Sequence, residues 1–208
     1  PQTLPLRVGL IDSAGAEIAL PGADGKRAPG GRLCVLDTAR KAWRFEGLKP
    51  GAGNRPVLSI NRGFSTPVII ERKGVSETRL AAERATLLAH DSDPFNRWEA
   101  GRQFAVDTIL GVMNDAEGEA AGAADAMADR CGRLATALGA ALRAASLDPS
   151  FRALLFALPG EDELAGEVVS RGGRNADPDA IHAARTHVRL ARGEALKAPL
   201  TETYAAMA

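Results

Sequence analysis

Residues 90–104, HDSDPFNRWEAGRQF, place a histidine, two aspartates, a glutamate and two arginines around Trp98. Side chains of these types are able to hold a metal ion or to exchange protons. The letters DSDPFN resemble half of a calcium-binding loop, but the glycine and the closing glutamate of such a loop are missing. The alternative is a helix start, in which Asp93 accepts hydrogen bonds from the first free amides and Pro94 occupies the first turn. We favour the helix start over a calcium or catalytic site.

Two further copies of the same arrangement support the capping interpretation of Asp93. Aspartate again precedes proline and an apolar stripe at Asp148, in DPSFRA, and at Asp177, in DPDAIH. Each aspartate would face the positive end of its helix dipole. Within the first of these helices we expect Asp93 to pair with Arg97, four residues on. The same helix is expected to bury one stripe, formed by Trp98, Ala105, Ile109 and Val112.

The other candidates for chemistry lack the partners that a reaction needs. His90 is expected at the end of the preceding helix, where the negative end of the dipole suits an imidazole. His182 and His187 are five residues apart, so a helix turns them to different faces, whereas paired metal ligands need a spacing of four. Ser65 has no base near it in the sequence. The acidic run at residues 161–163 fits the first turn of a helix better than an acidic site.

The two cysteines point to no reactive centre. Cys34 and Cys131 lie far apart, in segments predicted as a strand and a helix. We expect reduced, partly buried thiols rather than a disulfide or a zinc site. The sequence therefore gives no catalytic, cofactor-binding or metal-ligating residue.

Charge and hydropathy argue against several classes of partner. Lys and Arg number 26, as do Asp and Glu, so we expect no nucleic-acid partner. Residues 1–75 hold 12 basic and 6 acidic side chains, and residues 76–208 hold 14 and 20. These opposite signs favour docking of the two segments on each other or on a common neighbour; the alternative is drift in composition.

The ends and the hydropathy of the chain bear on its location. No apolar run approaches ~20 residues, so no membrane span is expected. No signal peptide is visible, and we expect a cytoplasmic protein. The chain opens at PQTLP without a methionine and ends at TYAAMA, from which we expect a piece of a longer protein.

The hydrophobic period changes near residue 75. Before it, apolar residues alternate with polar ones, and turn residues separate the segments, which predicts an antiparallel sandwich with a hairpin tip at residues 12–15. The predicted strands are LPLRVGLI, AEIAL (16–20), RLCVLD (32–37), KAWRFEGL (41–48), PVLSI (56–60) and PVIIERK (67–73). After a cap at Ser76 the period becomes helical, with about six mostly short helices and breaks at NDAEG, SLDPS, LPGED and RGGRNADPD. Short connections predict helical hairpins packed side by side, without a repeat period that indicates a named repeat family.

Several of these stretches, taken together, resemble one family. LPLRVGLIDSAG, WRFEGL, PVLSINRGFSTPV, LLAHDSDPFNRWEAGRQFA, ALPGEDELA and DPDAIHAAR occur in an order similar to the bacterial-type aminopeptidase N family of zinc metallopeptidases. The specific parts are RGFSTPV and DSDPFNRWEAGRQ. The resemblance implies an immunoglobulin-like β-sandwich at residues 1–75, followed by an all-α, superhelical domain at residues 76–208 that is the first part of a larger helical domain.

The resemblance also implies that the chemistry lies elsewhere. The family's His-Glu-x-x-His zinc helix and its Gly-x-Met-Glu-Asn amine-binding motif do not occur in this sequence. We therefore expect that this chain is not an enzyme by itself and holds no cofactor. Its parent would use zinc to remove N-terminal residues from peptides, and its partners would be the catalytic domain of the same protein and peptide substrates. The sandwich would act as a spacer, and the helices would help to enclose the active-site chamber.

Two other functions stay open at this point. One is a self-standing immunoglobulin-like binding module with a helical partner domain, which would contact a protein through the long loop PGADGKRAPGG at residues 21–31. The other is a small enzyme of an unrecognised kind.

Overall fold

The computed structural model describes residues 3–12, 14–21, 27–28, 30–48, 55–118, 121–172 and 175–206. It divides into two compact units, Pro1–Ala100 and Gly101–Ala208.

The first unit is built on the strand β1 (Leu4–Ile11), which lies in the middle of an antiparallel sheet. On one side β1 pairs with β5 (Arg32–Leu36) through Val8 and Arg32, and further along with β2 (Glu17–Ile18) through Leu10 and Ile18. On its other side lies β6 (Val57–Ile60), since Val8 also pairs with Ile60. The short strands β3 (Leu20–Pro21) and β4 (Arg27–Ala28) form a second antiparallel pair.

One apolar cluster of the unit joins this sheet to β3 and is formed by Val8, Leu10, Ile18, Leu20 and Cys34. Trp43 and Phe45 pack against this cluster, while Arg44 and Glu46 are exposed. The alternation predicted from the sequence is therefore present, but residues 41–48 form no strand. A period of two reports an extended backbone with one buried side, and it does not specify a neighbour for the backbone hydrogen bonds.

A second predicted strand is also wrong, because residues 67–73 contain no strand.

The predicted hairpin tip, in contrast, is confirmed. The amide of Asp12 donates to the carbonyl of Ala16 at 2.9 Å, and one carboxylate oxygen of Asp12 accepts from the amides of Ala14 and Ala16 at 2.9 and 2.8 Å. An aspartate that bonds the backbone two residues on is a usual means of fixing a turn.

The first helix follows where the period changes. Helix α1 (Glu77–His90) begins after Ser76, whose hydroxyl accepts from the amide of Arg79, as predicted. It packs against β6. Helix α2 (Pro94–Glu117) begins in the first unit and ends in the second. Because residues 77–100 lie in the same compact unit as the sheet, that unit extends past the period change, and the division at residue 75 stays a prediction.

The second unit consists of helical hairpins. After α2 come α3 (Ala123–Leu142), α4 (Pro149–Leu155), α5 (Glu161–Gly172) and α6 (Pro178–Ala205). Helix α3 packs against α6, and Gly139 allows a close approach, since a Cβ there would lie 3.2 Å from Leu196 Cδ2. Helix α5 also packs against α6. The most buried side chains of these three helices are Leu134, Ala141, Leu164, Ile181 and Val188.

The described part of the chain contains six helices, which confirms the expected number. Their lengths were underestimated, because α2, α3 and α6 have 24, 20 and 28 residues. Pro199 lies inside α6 without ending it. Among the described residues, no helix combines the length and the apolar character that crossing a bilayer requires.

Candidate functional site

A buried arginine lies at the centre of the first unit. Arg62 is 2% exposed and sits in a 3₁₀ turn, Arg62–Phe64, directly after β6. Its guanidinium lies against Gly9 of β1, where a Cβ would clash with the side chain. A glycine at position 9 therefore gives the guanidinium its space on the sheet.

All three nitrogens of this guanidinium have partners. Nη2 donates to Asp91 Oδ1 at 2.8 Å, Nε donates to Ser59 Oγ at 2.9 Å, and Nη1 donates to Glu17 Oε1. The side chain of Asp91 is 0% exposed and that of Glu17 is 21% exposed. Two carboxylates thus neutralise one buried cation, as the cost of burying a charge demands.

Ser59 connects the members of this cluster. Its hydroxyl accepts from Arg62 Nε and from Asn96 Nδ2, at 2.9 and 2.7 Å, and donates to Asp91 Oδ2 at 2.6 Å. A hydroxyl has one donor and two acceptor positions, so Ser59 is fully satisfied. We call Glu17, Ser59, Arg62, Asp91 and Asn96 the arginine cluster. It joins β2, β6 and the 3₁₀ turn to the start of α2.

The connection between α1 and α2 is held by the same side chains. Asp91 Oδ1 also accepts from the amide of Asp93 at 2.9 Å, and Ser92 Oγ donates to Glu17 Oε2 at 3.0 Å. Asp93 caps α2 through the amide of Asn96 at 2.9 Å, and its second oxygen accepts from the amide of Gly63 at 2.8 Å. The connection is therefore fixed at three successive residues, to the sheet and to the 3₁₀ turn that follows β6.

The turn that carries Arg62 has an unusual backbone. Asn61 and Phe64 have φ values of 66° and 50°, in the left-handed region. The side chain of Asn61 stabilises this turn, since its Oδ1 accepts from Ser65 Oγ and from the amide of Thr66 at 3.0 and 2.9 Å. Such a backbone persists only where its surroundings fix it. Ser65 also accepts from the amide of Arg7 at 2.9 Å, so its hydroxyl has a structural position.

Burial and charge act in opposite directions on the two carboxylates. Burial raises the pKa of Asp91, against the hydrogen bonds from Ser59 and Asp93 and the charge of Arg62. Burial would also raise the pKa of Glu17, but the hydrogen bond and charge of Arg62, with donors Gly30 and Ser92, bring its pKa below the usual value of 4.5. Burial of the Arg62 cation and of the Asp91 carboxylate is therefore tolerated because each charge offsets the other.

The arrangement of the arginine cluster indicates a structural role. Ser59 is 0% exposed, and the carboxylate that accepts its hydrogen bond, that of Asp91, is held by Arg62. No imidazole belongs to the cluster to act as a base for Ser59. The arrangement positions the helices on the sheet and offers no access to a substrate.

The three predicted helix caps are confirmed. Besides Asp93, Asp148 accepts from the amide of Ser150 at 2.8 Å, and Asp177 accepts from that of Asp179 at 2.9 Å. The predicted pairing of Asp93 with Arg97 is wrong, because Arg97 donates to the carbonyl of Ala89 at 3.2 Å. Burial lowers the pKa of this guanidinium. In the predicted stripe, Ala105, Ile109 and Val112 are buried, and Trp98 is half-buried against Phe95.

The histidines lie where the sequence analysis placed them. His90 ends α1, and its ring packs against Gly15 of the hairpin tip. His182 and His187 are exposed on α6. The only polar contact found for them joins His182 Nδ1 to Glu161 Oε1 at 2.9 Å, within the described residues. Glu161 belongs to the acidic first turn of α5, as predicted.

The cysteines are free and buried, and burial raises the pKa of both Cys34 and Cys131. The described residues contain no group of three or more His, Cys, Asp or Glu side chains that could hold a metal ion. The predicted contact loop at residues 21–31 lies mostly outside the described residues.

The sequence analysis missed the arginine cluster. Arg62 and Asp91 both lie in stretches that carried the family resemblance, but no spacing relates them, because 29 residues separate them. A signal was present in the pair Asn61 and Gly63 around Arg62, since these two residue types favour the left-handed region and mark a tight turn.

Comparisons with known proteins agree with this architecture. A family model described as DUF3458, Ig-like fold, matches residues 1–73, and one described as DUF3458_C, ARM repeats, matches residues 81–208. Both parts of the predicted fold class are thereby confirmed. The second description indicates a helical repeat, which the sequence analysis did not detect. The helices differ in length, so no fixed period appears in the sequence.

Two curated relatives are called aminopeptidase N. The protein of Caulobacter vibrioides is 40% identical over 172 residues, covering 83% of this chain and 17% of the relative. The protein of Haemophilus influenzae is 28% identical over 204 residues, covering 97% of this chain and 20% of the relative. These matches confirm the resemblance to the aminopeptidase N family, and the chain spans about a fifth of the length of these relatives.

A solved structure shows the same fold. The aminopeptidase A of Legionella pneumophila, in complex with aspartic acid, matches with a TM-score of 0.66 and 21% identity. The match covers 97% of this chain and 20% of that protein.

Proposed function

The chain belongs to the family defined by the DUF3458 Ig-like domain and the DUF3458_C ARM-repeat domain, and from this membership we propose that it is the non-catalytic structural part of a zinc-dependent aminopeptidase. The observation that carries the proposal is the 40% identity to an aminopeptidase N over 83% of the chain, which amounts to only 17% of that relative. The parent enzyme would remove N-terminal residues from peptides in the cytoplasm.

The zinc of the proposed parent does not fit the residues that the structure describes. A catalytic zinc site needs three protein ligands with one open position. The contact of His182 with Glu161 supplies two donors on an exposed surface, and the described residues offer no cluster of three. We therefore propose that the metal, and every step of peptide hydrolysis, belong to another part of the parent enzyme.

The proposed role of the first unit is that of a rigid spacer. The arginine cluster supports this role, because its buried ion pair between Arg62 and Asp91 holds the helical connection on the sheet. Two exposed hydrogen bonds, made by Ser92 and Asp93, add to this attachment. A spacer of this kind would transmit the position of one neighbouring domain to another without bending. The helical hairpins of the second unit would help to enclose the chamber in which peptides are cut.

The experiment compares this chain with the complete protein. Both are purified and tested for bound zinc and for release of the chromophore from an aminoacyl p-nitroanilide. We expect zinc and hydrolysis from the complete protein and neither from residues 1–208. Stoichiometric zinc and hydrolysis by the chain alone would disprove the non-catalytic role, and an inactive complete protein would favour the alternative of a binding module.

The enclosing role has a separate test in the complete protein. Shortening the helical part should raise the cleavage of long peptides relative to that of dipeptides, because a more open chamber admits larger substrates. An unchanged ratio of the two rates, in a variant that still folds, would contradict the enclosing role.

A further inference from the structure

A row of three arginines lies along α6 (Pro178–Ala205), in the second unit. Arg185 and Arg192 are seven residues apart, which is close to two helical turns, so they share one face of the helix. Arg189 lies between them, four residues after the first, on the neighbouring surface of the helix, and is exposed. The three arginines therefore follow one another along about two turns of α6.

The two outer arginines are held in place by the connection between α4 and α5. Arg185 Nε donates to the carbonyl of Pro159 at 2.8 Å, and Arg192 Nη1 donates to the carbonyl of Phe156 at 2.7 Å. The Arg192 guanidinium also lies over the ring of Phe156, 6.0 Å from its centroid. Both side chains are half-buried. The two cations are thus fixed beside one short segment, and each keeps further N–H donors.

The three arginines of this row lack ion pairs within the described part of the chain. Among the described residues, none of the three arginines forms an ion pair with a carboxylate. The acidic side chain of Glu161, at the start of α5, is bonded to His182. Burial lowers the pKa of Arg192, and the positive charge of Arg185 lowers it further. Two partly desolvated cations that repel each other are an arrangement that an anion would stabilise.

We propose that Arg185, Arg189 and Arg192 form a binding site for an oxyanion, supplied by the carboxylate of a peptide or by a phosphate group. A guanidinium presents several N–H donors in one plane, which matches the paired oxygens of either group. The carbonyls of Phe156 and Pro159 hold the outer guanidinium groups in position before the anion arrives, so little side-chain entropy is lost on binding. The site stands on the geometry of α6 and is independent of the proposed function.

The test is calorimetric titration of the 208-residue chain at low ionic strength. The probes are inorganic phosphate, acetyl-trialanine with a free carboxylate, and the same peptide with a carboxamide. We expect saturable one-to-one binding of phosphate, of the carboxylate peptide or of both, and none of the carboxamide. The probe that binds identifies the source of the oxyanion. Absence of saturable binding by both anions, or equal binding of the carboxamide, would overturn the proposal.

Variants locate the site on the helix. Arg189→Gln should weaken the binding about tenfold, since one charge-assisted hydrogen bond is lost, and Arg189 supports no backbone carbonyl in the described structure. The matched control is Lys197→Gln, which removes the same charge from an exposed position of α6 about 140° around the helix from Arg192. It should leave the affinity within about twofold. Equal losses in the two variants would show a general charge effect and would sink the proposal.

Discussion

The carboxylate of Asp91 lies 2.8 Å from the guanidinium of Arg62, and the two side chains are 0% and 2% exposed. Ser59, Asn96 and the amide of Asp93 complete their hydrogen bonds. A buried ion pair of this kind contributes little compared with a well-packed apolar pair, but removing one partner leaves an unpaired buried charge. The pair therefore selects one position of the helical connection on the sheet. Its loss should have measurable effects.

Replacement of Arg62 by methionine should lower the free energy of unfolding of the first unit by about 3–5 kcal/mol, because Asp91 and Glu17 lose their cation. Both tryptophans of the chain, Trp43 and Trp98, lie in this unit. Urea denaturation followed by tryptophan fluorescence therefore reports the effect on this unit directly.

The control for this change is Lys73→Met. Lys73 pairs with Glu71 at 3.2 Å, but the two side chains are 86% and 70% exposed. An exposed pair contributes at most about 1 kcal/mol, so the midpoint should hardly move. If Arg62→Met were as mild as this control, the arginine cluster would not hold the unit together.

Gly9→Ala should also destabilise the first unit, although it adds only one methyl group. The new Cβ would overlap the guanidinium of Arg62, whose position is fixed by three partners. We expect a loss of about 1–3 kcal/mol, as for overpacking elsewhere. Gly132→Ala is the contrasting change, since a Cβ there meets nothing within 4 Å on α3. It should stabilise α3 by about 0.5–1 kcal/mol, measured by thermal unfolding with circular dichroism.

Acid should act on the first unit through Glu17. Its pKa is lowered in the folded chain, so its ionisation contributes stability that is present above the unfolded value of 4.5 and is lost as the pH falls through the folded value. Glu17→Gln removes this contribution. The difference in unfolding free energy between the two chains should be largest near neutral pH and should shrink as the pH falls below 4.5.

The contribution of Asp91 to the unfolding free energy has the opposite dependence on pH. Its pKa is raised in the folded chain, so its contribution is present below the unfolded value of 3.8 and is lost as the pH rises through the folded value. Glu17→Gln leaves this contribution in place. A difference between wild type and variant that stays constant across the acid range would show that Glu17 does not titrate with a lowered pKa.

The two oxygens of Asp93 predict a graded series. Asp93→Ala loses the cap of α2 and also leaves the amide of Gly63 without its partner, and we expect a loss of about 2–3 kcal/mol. Asp93→Asn keeps a good capping oxygen but turns an N–H towards Gly63, so its loss should be intermediate. Ser76→Ala removes only the 3.4 Å cap of α1 and should cost about 1 kcal/mol or less. Tryptophan fluorescence in urea measures all three, and equal losses would mean that the contact with Gly63 adds nothing.

The sequence by itself determined several helix starts and one turn of this protein. The caps at Asp93, Asp148 and Asp177, the turn at Asp12 and the start of α1 after Ser76 were all predicted correctly. Each depends on a side chain and backbone amides no more than four residues away. The family resemblance and the two-part fold were likewise available from the order of short motifs.

Only the tertiary structure decided which polar side chains are buried. An arginine in a turn is expected to be exposed to solvent, yet Arg62 is buried. Its ion-pair partners are Glu17, 45 residues before it, and Asp91, 29 residues after it. Residues 41–48 show the same limit, since their alternation predicted the buried face correctly but also predicted a strand that is not formed. Local propensities act within a few residues, whereas the partners of a buried charge and the neighbours of a strand are set by how distant segments pack.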